Sequence, residues 1–366
     1  MQKNTINSNY FPALTGIRAV AASMIFLLHF NPFKVVWFGQ FIHDSFNEFH
    51  VGVTIFFVLS GFLICYRYSD VIILERKWLQ RYFVNRFARI YPMYFIMTVL
   101  SFIPAICSSY CGIKLLFLNL TFFRGFFDEY KFTGVPGGWS LTVEEMFYFL
   151  FPLIIFFSKK MKLFYQPILF IAIGILLWDI FKNISFHGFF SSLTFIFEYT
   201  FFGRCFEFYT GIFLALYVKS HQAQMIIKRY SYRTIVGILY IITCIILLVI
   251  NRRHSLEQGQ FLFFETLVNN LILPLGIAIL FYGLLTEKTG IRKMLESNIF
   301  TLLGKSSYIF YLIHNGFLFS FFFLTLHINI VVIFFLMHGI SLILYLFVEK
   351  PLNNLIRHAA YSPVKA

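Results

Sequence analysis

Apolar runs of roughly 20 residues, long enough to cross a bilayer as helices, recur along the whole chain. They fall near 11–31, 50–66, 90–108, 139–158, 163–181, 200–218, 234–250, 265–285, 306–325 and 328–348, which predicts ten spans. The run at 113–123 is too short to cross and is expected as a re-entrant or surface element between the third and fourth helices. No repeat or low-complexity tract interrupts this order. The fold class that follows is all-α, a polytopic membrane protein with about ten helices in one bundle.

Composition strengthens that reading. With 59% hydrophobic and 13% charged residues, a chain of 366 residues leaves too little polar surface to wrap a soluble globule. The 53 Phe and 21 Tyr suit lipid-facing rings and interfacial belts. Five scattered cysteines, of which only Cys107 and Cys111 are close, give neither a zinc spacing nor a disulfide framework. No metal is expected. The first thirty residues lack a basic start and a small-residue cleavage site, so they read as a retained first helix.

Charge changes the picture by setting orientation. With the N-terminus inside, 21 of the 30 Lys and Arg fall in cytoplasmic segments and 8 opposite, among the latter Arg124, Arg204 and Arg252, while Arg18 lies in a span. Both termini are therefore expected in the cytoplasm, with 359–366 as a short tail after a membrane domain of 1–358. The net charge of +14 is an orientation and headgroup signal. A nucleic-acid partner would need a soluble basic face, and none is expected.

Ionisable residues inside spans are costly, and function is the first hypothesis for each. Arg18 and His29 stand eleven residues apart in GIRAVAASMIFLLHF, so one helix face carries both, about 16 Å apart along the axis. Arg18 can instead snorkel to the headgroups, and His29 can be an interfacial histidine. In VGVTIFFVLSGFLI, Gly52, Ser60 and Gly61 suit close helix packing. Arg86 and Arg89 share a face at what reads as the start of the third helix, where guanidiniums and free N–H groups together attract phosphates. Ordinary cytoplasmic anchoring is the other reading. In GVPGGWSLTVEEMFYF, Trp139 marks the interface, Ser140 and Thr142 are candidate caps, and Glu144 or Glu145 can orient an imidazole or balance an arginine. LGKSSYIFYLIH sets Tyr308, Tyr311 and His314 in or beside the membrane, His314 being a second proton-active group or a buried ring with a backbone partner. Glu349 in LFVEKP reads as structural.

Taken in order, these segments resemble the bacterial membrane acyltransferase 3 family, which includes O-antigen and exopolysaccharide O-acetyltransferases. YFPALTGIRAVAASMIFLLHF resembles its Arg, ten residues, His signature. GVTIFFVLSGFLI, RFARIYPMYF, GGWSLTVEEMFYF, LGKSSYIFYLIH and VEKP follow in the family's order. The resemblance implies His29 as the catalytic histidine with Arg18 as partner, Arg86 and Arg89 as contacts to an acyl-CoA donor, and Glu144 as the first glutamate of SLxxE. Trp139, Ser140 and Tyr148 are then site or framework residues, and Tyr308 and His314 match SYxxYLxH. It implies no bound cofactor, acyl-CoA as donor, a glycan or lipid-linked saccharide as acceptor, and the inner membrane as location. Larger members add a soluble esterase-like domain, which this chain is expected to do without. A transporter or flippase is the rival class, since Arg, His and Glu also build proton relays; no duplicated half of the kind common in transporters is visible.

Overall fold

The computed structural model describes residues 10–69, 75–108, 111–158, 160–184, 186–221, 232–258 and 262–361. Lys3, Lys159, Lys228, Arg229 and Lys365, all part of the orientation argument, lie outside the described residues, as do 362–366 of the expected tail.

The elements of the described residues are helices. In order run α1 (Pro12–His29), α2 (Val35–Phe38), α3 (Gln40–Asn47), α4 (Val51–Tyr68), α5 (Arg76–Ser108) and α6 (Cys111–Leu120). Then come α7 (Gly138–Phe157), α8 (Gln166–Phe181), α9 (Leu193–Tyr199), α10 (Phe201–Ser220), α11 (Arg233–Gln258) and α12 (Leu262–Leu267). The last are α13 (Leu273–Thr286), α14 (Gly290–Leu295), α15 (Asn298–Ile313), α16 (Phe317–Ser320), α17 (Ile330–Leu344) and α18 (Lys350–Tyr361). Among the described residues β-pairing is limited to one isolated bridge between Phe127 and Phe189.

Among the described residues eight helical stretches are long and apolar enough to cross a membrane, and a ninth forms if α15 and the helix that starts with α16, bent by 78°, count as one broken span. This is a multi-pass membrane protein. The expected third span, 90–108, is the apolar end of α5, whose first half carries Arg76, Lys77, Arg81, Arg86 and Arg89. The outer surface confirms which solvent the helices are built for: only 17% of the Leu163–Phe181 span is buried. Its Ile168, Leu169 and Leu176 point outward, as do Val331, Phe335 and Phe347 on the span containing α17.

The contacts divide the chain into two compact units, Met1–Asp70 with Gly203–Ser307, and Val71–Phe202 with Tyr308–Ala366. In the first, α1 and α4 run antiparallel. Gly52 lies on the Ala21 carbonyl and Ile25, while Phe62 and Tyr66 meet Phe11 edge-on at the other end. Further on, Gly61 sits on the Phe208 carbonyl and Gly211 on that of Val58, so α4 and α10 touch backbone to backbone. Small residues permit this approach, which van der Waals contact rewards where the hydrophobic effect cannot act.

α11 and α13 pair closely, and Glu287 closes the pair. Its carboxylate accepts the backbone N–H of Arg233 at 2.8 Å, the N–H of Thr234 at 3.0 Å and the Thr234 hydroxyl at 2.6 Å. A buried anion thereby serves the first-turn N–H groups of another helix, where the helix dipole also favours it. Glu287→Ala is expected to destabilise the protein by about 2 kcal/mol, read as a lowered unfolding midpoint in detergent. An unchanged midpoint would show that water replaces the cap.

In the second unit, Phe190, Ile196 and Phe202 form a core against Phe126, Phe170 and Trp178. The fully buried Tyr82 and Tyr94 fix α5 by donating to the carbonyls of Tyr148 and Asn119, each at 2.9 Å. The short run at 113–123 folds as α6, packed on α5 and followed by a left-handed turn at Phe122.

Candidate active site

α1 starts with Pro12 in its first turn, where a fixed φ and a missing N–H carry no penalty. It carries Arg18 and His29 on one continuous helix. Arg18 is half-buried; its Nε donates to Ser307 Oγ at 3.2 Å and its guanidinium lies 5.7 Å from the Phe56 ring centre. That is a packed, partnered arginine. His29 closes the helix and is exposed, its ring 6.2 Å from that of Phe30.

The second unit gathers three of the expected residues. Arg86, buried on α5, places its guanidinium 5.5 Å from the centre of the Tyr148 ring. The Tyr148 hydroxyl donates to the Glu144 carboxylate one turn earlier on α7. Tyr82 and Arg86 are four residues apart on α5, as Glu144 and Tyr148 are on α7, so helical periodicity puts each pair on one face and tertiary packing brings the two faces together. Arg89, half-buried, has no ion-pair partner among the described residues. The pair does not stand at a helix start as the sequence suggested. α5 begins at Arg76, because RKWLQRYFVN contains neither proline nor glycine to stop it. Any anion here meets guanidiniums alone, without the free N–H groups of a first turn.

Ser140 is also placed differently. The residue preceding α7 is Gly137, and no side chain caps that helix. Ser140, inside the first turn, donates to the Gly137 carbonyl at 3.0 Å and its Oγ lies 2.7 Å from the Tyr311 hydroxyl, which reaches the same carbonyl at 3.0 Å. Trp139 packs edge-on against Tyr199, 5.0 Å between ring centres. Tyr308 donates to the Ile90 carbonyl at 2.8 Å. His314, at the break between α15 and α16, is buried and its Nδ1 donates to the Tyr311 carbonyl at 2.7 Å. The backbone-partnered reading of His314 is the one observed.

Several charged groups escape a sequence reading. Arg124, counted above among loop cations, is completely buried; it donates to the carbonyls of Thr133 and, at 3.0 Å, Val135, and burial pushes its pKa down. Arg204, also counted there, is no loop residue. It lies within α10, paired with Glu207 at 2.8 Å and bonded to Thr54 at 3.2 Å. The spacing of Arg204 and Glu207 inside an apolar run was the available signal. Glu48, His50 and Glu265 bring one ligand atom each within 4.8 Å of one another, the only such group among the described residues. Arg252 pairs with both carboxylates, however, at 3.1 and 3.7 Å.

A family profile described as an acyltransferase domain, acyltransferase 3, matches residues 11–348. The chain belongs to this family. Similar proteins include the peptidoglycan O-acetyltransferase OatA of Listeria monocytogenes serovar 1/2a, 30% identical over 183 residues, which are 42% of this chain and 25% of that protein. The O-acetyltransferase OatA of Staphylococcus aureus strain NCTC 8325 is 28% identical over 170 residues, 40% of this chain and 25% of that protein. A putative acetyltransferase, ORF330, of Acidianus two-tailed virus is 28% identical over 157 residues, 42% of this chain and 44% of that protein. The chain thus aligns with a quarter of the length of the OatA relatives. No solved structure matches. What the family and the relatives support together is an integral membrane O-acyltransferase.

Proposed function

We propose that the protein moves an acyl group, acetyl in the first instance, from acyl-CoA on the cytoplasmic side to a hydroxyl of a cell-surface glycan or its lipid-linked precursor. The observation that carries this reading is the pair on α5: Arg86 buried against Tyr148, and Arg89 three residues on with no ion-pair partner among the described residues. Guanidiniums held this way suit the phosphates of a nucleotide thioester. In the reaction His29 takes the proton from the acceptor hydroxyl as general base. The freed oxygen attacks the thioester carbonyl, while Arg18, about three turns away along the same helix and bonded to Ser307, holds positive charge deeper in the path. The carbon–sulfur bond then breaks, CoA leaves as thiolate and collects a proton, and the acyl group stays on the acceptor. Within the second unit, Glu144, held by Tyr148, is the carboxylate beside the donor-binding arginines.

The orientation, both termini inside an inner membrane, rests on the basic residues of the cytoplasmic segments. It is tested with reporters fused to either end.

Release of free CoA thiol from acetyl-CoA by protein reconstituted in lipid tests the reading. Wild type is expected to turn over. Arg89→Gln and the Arg86→Ala, Arg89→Ala double variant are expected to raise the acetyl-CoA KM by roughly tenfold and a hundredfold, from the loss of one or two charge-assisted contacts. Folded wild type that neither binds nor cleaves acetyl-CoA would move the assignment to the transporter class.

A further inference from the structure

The chain between α1 and α4 exposes apolar surface that none of the roles above uses. α1 and α4 have 18 residues each, about 27 Å of helix at 1.5 Å per residue, close to the roughly 30 Å of a bilayer's hydrocarbon core. The two helices are antiparallel neighbours, so residues 30–50, which join them, lie at one edge of that core.

This connection has a fixed shape. Asn31 Nδ2 donates to the His43 carbonyl at 2.9 Å and to Asn47 Oδ1 at 3.1 Å, and Asn31 Oδ1 accepts the Phe33 N–H at 3.0 Å. Phe33 stacks on Phe46, 4.0 Å between ring centres, and meets Phe38 edge-on at 5.0 Å. α2 and α3 pack on each other as a helical hairpin, and Gly39, at φ +77°, turns the chain between them.

What the hairpin turns outward is apolar. Val36 is 89% exposed and Trp37 80%, and Phe38, Phe41 and Ile42 are exposed as well. On α3 the helical period separates two faces: Gln40, His43, Asp44 and Asn47 fall within about 100° of one another, with Phe41, Ile42 and Phe46 opposite. From Phe30 to Ile42 the one charged side chain is Lys34, which is exposed. Water is a poor solvent for such a surface. Its position at the edge of two spans supplies a better one. The headgroup and upper acyl layer of a bilayer takes up amphipathic helices and concentrates tryptophan, whose ring is apolar and whose N–H is polar. A lysine beside these rings suits lipid phosphates.

We propose that residues 33–42 are seated in the bilayer interface at the His29 end of the first unit, with Val36 and Trp37 among the upper acyl chains and Lys34 at the phosphates of the membrane's own phospholipid. The hairpin then sets the depth of α1. His29 is separated from Phe33 by three residues, one of them the Asn31 that ties the hairpin together, so it stands at headgroup level. The seating itself does not depend on the transferase reading.

The test uses the full chain in vesicles of mixed phosphatidylcholine and phosphatidylglycerol. Tryptophan emission of wild type is compared with that of Trp37→Phe, and the difference reports Trp37 among the four tryptophans of the chain. The quenchers are the same lipids brominated high on the acyl chain, the same lipids brominated near its end, and iodide in the water. The Trp37 signal is expected to be blue-shifted from that of tryptophan in water, to lose most of its intensity to the lipid brominated high on the chain, and to lose little to iodide. If Trp37→Phe does not fold, the triple variant Trp78→Phe, Trp139→Phe, Trp178→Phe, which keeps Trp37, is read in the same way. Quenching by iodide as strong as for free tryptophan, with none by brominated lipid, puts the hairpin in water and overturns the proposal. Protection from all three quenchers also overturns it, in favour of a protein neighbour. Stronger quenching from the chain ends than from the upper positions makes the segment re-entrant and overturns the interfacial seating. No arm of the test requires acyl transfer, so a chain that fails to turn over acetyl-CoA leaves the seating standing, and loss of the seating leaves the transferase reading untouched.

Discussion

His29→Ala abolishes acyl transfer, lowering turnover by roughly a thousandfold, within the range a positioned general base contributes, while the protein is made and folds as before. The second half of that expectation comes from the structure. His29 is the last residue of α1 and exposed, whereas the buried positions of that helix end at Ile25 and Phe26. Removing the imidazole leaves no cavity in the packing. CoA release and acyl transfer are measured for wild type, His29→Ala and His29→Gln in the same lipid, with size-exclusion profiles as the check on folding. Glutamine can still hydrogen-bond but cannot carry a proton at neutral pH, so both variants are expected to be equally inactive. Turnover within a few-fold of wild type in either variant removes His29 from the mechanism. Arg18 is a less clean probe, because its bond to Ser307 gives it a structural role as well.

The largest effect on stability is expected from Gly61→Val. A side chain at Gly61 meets the backbone of Phe208, carbonyl oxygen first, and across the same contact Gly211 faces the backbone of α4. Backbone cannot rotate aside as a side chain can, so α4 and α10 must separate, losing packing along the contact. The expected cost is about 3 kcal/mol or more, the upper end of what overpacking a well-packed interior produces. It is measured as the shift in thermal or denaturant unfolding in detergent. Gly290→Ala is the control, since a Cβ there meets nothing within 4 Å and its effect is expected within about 0.5 kcal/mol. Equal midpoints for the two variants would show that the α4–α10 contact contributes little.

Arg18 and His29 were legible because helical periodicity fixes what eleven residues do and because charge in an apolar run is conspicuous. The cluster of Arg86, Tyr148 and Glu144 was legible only in part. The i, i+4 spacings within α5 and α7 could be counted, but nothing local says that these two faces meet. Ser140 looked like a cap because serine near a helix start usually is one. Its hydroxyl instead serves the first-turn carbonyl and Tyr311, a residue 171 positions away. The expectation that Arg86 and Arg89 open a helix failed for a related reason: apolar patterning shows where lipid starts, while the helix itself continues outward through polar residues that also favour it.

The sequence by itself determined the class of the protein, its helical order and the motifs of the acyltransferase 3 family, because hydropathy, helical period and residue spacing are local properties that folding leaves intact. The tertiary structure decided which charges were buried and with what partners. Arg124, Arg204 and Glu48 sit among aromatic and apolar neighbours, and apart from Glu207 for Arg204 the sequence does not say which groups will meet them. Their energies depend on groups brought in from distant helices, such as Arg252 for Glu48 and the Val135 carbonyl for Arg124. Desolvation and pairing act through space, and in a membrane they decide whether a charge can exist at all.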